Sequence, residues 1–248
     1  MASTSETGHA KNAANFDTLI SCATGYGAAY NPSKTTLRVS ALQNMSAEAK
    51  NAVRAVNATL PAYTQAVADR EVAFAPLNKL TTRILNSLKA TDTTQQVIES
   101  AKALVNKLQG KRTTPKKTEE EKSALAADGK ATKEISTSQM SYDSRLDNFD
   151  KLVQLLSSAP FYTPNETDLQ ITSIQALYAD LSATNAAVIV AAVPLSNARI
   201  SRNQVLYKAD TGVVDIAMDV KTYVKSVFGA SSPQYKQISA LAFKSIPE

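Results

Sequence analysis

Apolar residues recur along this chain at spacings of three and four, not two. Tyr142, Leu146, Phe149, Val153 and Leu156 step by four, three, four and three, the seam of a packed helix. Ile135 keeps that phase one heptad earlier, although Gln139 between them is polar. A shorter helix over 11–23 carries Phe16 and Ile20 on its seam. Each of these helices is followed by a loop, "GYGAAYNP" or "SAPFYTP", that ends in Pro32 or Pro164. A proline suits a first helical turn because its missing N–H has no partner there. Ser33 or Asn165 is the alternative start, as a cap.

A long helix is predicted after each proline. Leu42, Met45, Ala49, Ala52, Val56, Leu60, Tyr63 and Val67 hold one phase in the first. Ile174, Leu177, Leu181, Val188, Ala192 and Leu195 hold it in the second, with Thr184 in the same row. Pro61 and Pro194 fall inside these runs, yet the phase continues on both sides. The expectation is a kinked continuous helix, with two helices and a tight turn as the alternative. At 1.5 Å per residue each would be about 60 Å long, so an elongated bundle is expected. Two further helices follow in each half. In the second half Asp210 or Thr211 is placed to cap the first of them, and Val213, Ala217, Val220, Val224 and Phe228 form its seam. Ser232 and Pro233 make a cap and first-turn pair for the last, with Tyr235, Ile238, Leu241 and Ile246 inward.

The two halves repeat one another. "AYNPSKTTLRVSALQ" at 29–43 and "FYTPNETDLQITSIQ" at 161–175 align at an offset of 132. Without a gap, Arg70 then meets Arg202, Ile84 meets Ile216 and Lys89 meets Lys221. One residue of shift brings "NFDTLI" onto "NFDKLV", and the two prolines align within one residue. The predicted organisation is a flexible tail over 1–14, a helical repeat over 15–109, a charged linker over 110–134 and a second repeat over 135–248. Each repeat holds roughly four helices, far more than a solenoid unit. The fold class is all-α.

Composition agrees with that reading and narrows the chemistry. Only 7 Gly, 6 Phe and no Trp occur, which disfavours a strand-rich fold. Cys22 is the only cysteine and His9 the only histidine. No disulfide framework can form within the chain, and most histidine-based metal sites and nucleophile systems are excluded. Cys22 reads as a small apolar core residue, and His9 is assigned to the tail. No phosphate-cradling glycine loop is present. No catalytic, cofactor-binding or metal-binding residues are assigned, and no cofactor is expected.

The net charge of +5 is spread mainly over the first half and the linker, well short of a nucleic-acid-binding patch. Lys111, Arg112, Lys116 and Lys117 are the weak exception, and Glu119, Glu120 and Glu121 follow them directly. Arg70 and Arg202 are candidates for interhelical or partner contacts, and Pro61 and Pro194 for hinges or kinks. The longest apolar run, "AAVIVAAVPL" at 186–195, is short for a membrane span and reads as part of a buried helix. No signal peptide is visible. A cytoplasmic location follows as the expectation, with signal-independent export left open. Membrane binding is disfavoured, a protein partner is expected, and self-association is left open.

The stretch 206–238, "LYKADTGVVDIAMDVKTYVKSVFGASSPQYKQI", resembles the C-terminal part of a widespread family of uncharacterised bacterial helical proteins. Tyr207, Asp210, Thr211, Gly212, Asp215, Phe228, Gly229, Ser232, Pro233, Tyr235 and Lys236 carry the likeness. The family has no known activity, so the resemblance implies an all-α, soluble, bacterial protein and nothing catalytic. The function expected is structural or protein-interacting, with a pore-forming-like membrane-active protein as the alternative.

Overall fold

A computed structural model describes residues 8–111 and 140–245, and among these the secondary structure is helical throughout. In chain order the helices are α1 (His9–Gly25), α2 (Val39–Phe74), α3 (Leu77–Lys89), α4 (Gln95–Leu108), α5 (Tyr142–Ser158), α6 (Ile171–Tyr207), α7 (Val213–Phe228) and α8 (Pro233–Ser239). Short 3-10 turns cover Gly27–Ala29, Thr35–Leu37 and Thr167–Leu169. Residues 112–139, with Arg112, Lys116, Lys117, Ile135 and Gln139, lie outside the described residues, as does Ile246. Lys111 is described and exposed.

Helix α2 runs 36 residues through Pro61, and α6 runs 37 through Pro194. Neither proline ends its helix. The starts of these helices differ from the sequence expectation. Pro32 and Pro164 stand in loops, and the helices begin seven residues later, at Val39 and Ile171. A 3-10 turn and an extended residue, Arg38 or Gln170, intervene. The physical reason is a tyrosine on the loop. Tyr30 Oη donates to the Leu37 carbonyl at 2.8 Å, and Tyr162 Oη donates to the Leu169 carbonyl at 3.0 Å. Each closes its loop on itself before the long helix starts. Leu37 and Leu169 are buried beneath these closures.

Helix α7 also starts differently. Gly212, not Asp210 or Thr211, takes the position before it, and no side chain caps there. Asp210 adopts a φ of 63°, and its N–H donates to Asp215 Oδ2 at 2.8 Å. A side chain at 212 would lie 2.7 Å from the Lys208 backbone, which explains the glycine. The last helix starts as expected: Ser232 Oγ accepts from the Tyr235 N–H at 3.1 Å, with Pro233 in the first turn.

The chain divides into two compact units, and neither is one of the sequence repeats. Unit 1 comprises residues 1–64 and 190–248; unit 2 comprises 65–189. In unit 1, α1 packs on α7 and α8, and the turn Thr35–Leu37 packs on α7. Phe16, Leu19 and Leu42 from the first half share a core with Val213, Ile216, Val220, Val224 and Ile238 from the second. In unit 2, α4 packs on α3 and α5, and the turn Thr167–Leu169 packs on α3. There Leu77, Ile84, Leu88 and Leu108 meet Phe149, Leu152, Leu156 and Ile174. In each unit the first helices of one sequence half close over the last helices of the other. A boundary at 110–134, expected from the sequence, therefore does not separate the packed cores.

Residues 9–14, assigned to a tail, are the opening turns of α1. His9 Nδ1 lies 2.7 Å from Tyr207 Oη. Asn12 donates to the Lys244 carbonyl at 2.7 Å and accepts from the Lys244 N–H at 3.2 Å. Asn15 donates to the Ala242 carbonyl at 2.7 Å. Lys221 Nζ donates to the Ser239 and Leu241 carbonyls. A C-terminal strap is thereby held by side-chain hydrogen bonds to its backbone.

Candidate functional site

The repeated arginines have different surroundings. Arg70 Nη1 donates to Asn185 Oδ1 at 3.1 Å, and Asn185 Nδ2 donates to Asp143 Oδ1 at 2.7 Å. The Arg70 guanidinium lies 3.9 Å over the Tyr142 ring. Tyr142 meets Phe74 edge-on at 4.9 Å, and Arg145 sits 5.3 Å from the Phe74 ring. Arginine stacks well on aromatic faces, so the cluster alternates cation and ring and joins α2, α5 and α6 within unit 2. Burial holds the Arg145 guanidinium below its ordinary pKa.

Arg202 is buried and donates through Nε and Nη2 to Asn203 Oδ1 at 2.9 and 2.7 Å. It lines an open cleft of about 620 Å³ in unit 1, together with His9, Lys11, Val53 and Asn57. An imidazole and two cations meet there without a lining carboxylate or nucleophile. Cys22 is partly buried against the unit 1 core, and burial pushes its thiol pKa up, away from the reactive thiolate. Among the described residues no three His, Cys, Asp or Glu stand close enough to hold a metal ion. Arg70 and Lys221 hold separate elements together, whereas Lys151 with Asp147 and Arg202 with Asn203 bond within their own helices.

The site that stands out is apolar. The run "AAVIVAAVPL" was expected inside a core, and the structure corrects this. Val188 and Leu195 are buried, but Ile189, Val190, Val193 and Ile200 are 60%, 71%, 54% and 50% exposed. Ala179, Ala183 and Ala186 are exposed on the same side of α6. Residues 181–198 contain no ionisable side chain, a length of about 27 Å at 1.5 Å per residue. The most apolar 18-residue window of α6 has a mean hydropathy of 1.5, and only 17% of it is buried. By length and composition this helix is long and apolar enough to cross a membrane. The corresponding part of α2, 49–66, differs: its exposed positions include Lys50 and Arg54.

Periodicity could not find this face. The run is apolar on every side, and a helix of that kind is ordinarily enclosed. The usable signal was the missing charge over 181–198, beside an α2 that keeps its charges.

No protein-family model, no curated protein and no solved structure matches this chain.

Proposed function

We propose that this protein is a non-catalytic helical-bundle protein that acts through contacts made by its surface, with the exposed uncharged face of α6 as the contact surface. The observation that carries this reading is the exposure of Ile189, Val190, Val193 and Ile200 on one uncharged helix. Apolar surface in water costs about 25 cal/mol per Å², and exposed contiguous apolar patches mark interaction sites. The engagement of Arg70, Arg145 and Lys221 in interhelical, stacking or strap contacts supports a scaffold rather than an enzyme.

The scaffold itself is read as a duplication. Supporting this are two long helices of 36 and 37 residues, each with one interior proline. The closures from Tyr30 to Leu37 and from Tyr162 to Leu169 recur at the offset of 132 residues. Pro61 and Pro194 are read as kinks, because each ring crowds the preceding turn and removes one hydrogen bond. Membership in the uncharacterised bacterial helical family is part of this proposal. Gly212, Asp215 and Ser232, which carry that likeness, form turns and a cap here.

The test compares wild-type protein with Val190→Glu/Val193→Glu as bait in extracts of the source cells. Stoichiometric capture by the wild type that the variant loses is the expected result. Equal capture by both would remove α6 from the function. A second reading, membrane activity, is favoured by the largely unburied apolar span of α6. Dye release from phosphatidylcholine/phosphatidylglycerol vesicles at micromolar protein would support it, and intact vesicles would dismiss it.

A further inference from the structure

We infer that the track along α1 and α7 is a binding site for an extended peptide, which the chain's own C-terminal strap, residues 241–244, occupies as a built-in ligand. The ligand class is an extended segment with bulky apolar residues two positions apart. The inference is independent of the α6 reading, because every residue it uses lies in unit 1.

The strap is held as a bound peptide is held. Leu241 and Phe243 pack against the unit 1 core, while Ala242 and Lys244 are exposed. That alternation is the side-chain period of an extended chain. Asn15 donates to the Ala242 carbonyl at 2.7 Å. Asn12 donates to the Lys244 carbonyl at 2.7 Å and accepts from the Lys244 N–H at 3.2 Å. One side-chain amide thus satisfies both main-chain groups of a single residue. From α7, Lys221 Nζ donates to the Leu241 carbonyl and lies 5.3 Å from the Phe243 ring centre. Asn12 and Asn15 share one face of α1, so the strap runs opposite to that helix. Asn12, Asn15 and Lys221 are only 2%, 8% and 8% exposed. All three bond main-chain atoms, which every peptide carries. Selectivity therefore falls to the positions of Leu241 and Phe243.

The strap is also separable. Among the described residues, no backbone–backbone hydrogen bond ties 242–245 to the rest of the chain. The strap follows α8, and no described helix comes after it. It can leave the track without moving another helix, and a partner's segment can then enter. While tethered, the strap competes at an effective concentration of about 1 mM.

Fluorescence anisotropy on the full chain tests the inference, with a fluorescein-labelled peptide of residues 240–245 as the probe. Phe243→Asp/Lys244→Pro removes the apolar anchor and the N–H that Asn12 accepts. This variant is expected to bind the peptide at least about 10-fold more tightly than the wild type, whose own strap competes. Adding Asn12→Ala/Asn15→Ala should abolish that binding. Circular dichroism should show wild-type helix content in both variants. In the unaltered protein, the Lys244 amide should exchange with deuterium faster than the amides of α1 and α7. A folded Phe243→Asp/Lys244→Pro chain that binds no peptide overturns the inference, as does binding that survives loss of both asparagines. So does a variant that loses its helix, or a Lys244 amide that exchanges in step with α1 and α7, because the strap is then part of the core.

Discussion

At the scale of single residues, two tyrosines do the same task at matched positions. Tyr30 and Tyr162 each close a loop onto a buried leucine carbonyl. Burial pushes both phenols up to about 12, assisted by Tyr223 for Tyr30 and by Glu166 for Tyr162. A raised folded pKa gives stability that is complete below pH 10. It is lost between pH 10 and 12, as the unfolded chain ionises first. Spectrophotometric titration at 295 nm should therefore show Tyr30 and Tyr162 ionising only as cooperative unfolding sets in. Tyr30→Phe and Tyr162→Phe should each cost about 1 kcal/mol in urea unfolding, the worth of one hydrogen bond. They should also flatten the alkaline limb. Early ionisation of all tyrosines, with the fold intact, would show that these closures are not formed.

At the scale of elements, the two loops carry opposite charge. Lys34 pairs with Asp219 on α7, and Asp168 pairs with Arg83 on α3. In each pair, a loop from one sequence half meets the third helix of the other half. If the second half packed on itself in the same register, Glu166 would face Asp219 and Asp168 would face Asp215. Those like-charge encounters disfavour self-packing and favour the observed exchange. The pairs are exposed, so their stabilisation is small and their value lies in selecting partners. The Arg83 hydrogen bond holds the Asp168 carboxyl below its usual range. Its contribution is therefore present above about pH 4 and fades as pH falls through the folded value. Lys34→Glu should lower the melting temperature, and Lys34→Glu/Asp219→Lys should restore it. No recovery in the double variant would dismiss a selective role.

Much of this level was legible in the sequence. Phase and interior prolines placed α2 and α6 nearly to length. Ser232–Pro233 fixed the start of α8 because a cap is a local event. The starts of α2 and α6 were not legible, because they depend on a tyrosine reaching seven residues ahead. Nor was the open face of α6, since apolar periodicity records which residues can be buried and not which neighbours arrive.

At the scale of the whole chain, each packed unit draws on both halves of the sequence. Unit 1 takes its core from both ends of the chain. Unit 2 joins the end of the first half to the start of the second. The apolar pattern of each half marks which residues can be buried but not which half they pack against. Apolar seams are interchangeable, and details such as Lys34 and Asp168 distinguish the halves. Removing either half leaves Phe16, Leu19, Phe149 and Leu152 without the partners that bury them. The burial lost, about 1.5–3 kcal/mol for each such side chain, is a large share of the stability of an ordinary domain.

Separate expression of residues 1–111 and 140–248 tests this arrangement. Each fragment alone should show weak helical circular dichroism and no cooperative thermal transition. An equimolar mixture should recover the helical signal and melt in a single transition as a one-to-one complex. Cooperative melting of either fragment by itself, unchanged on mixing, would show that each half folds on its own and would contradict the exchanged packing.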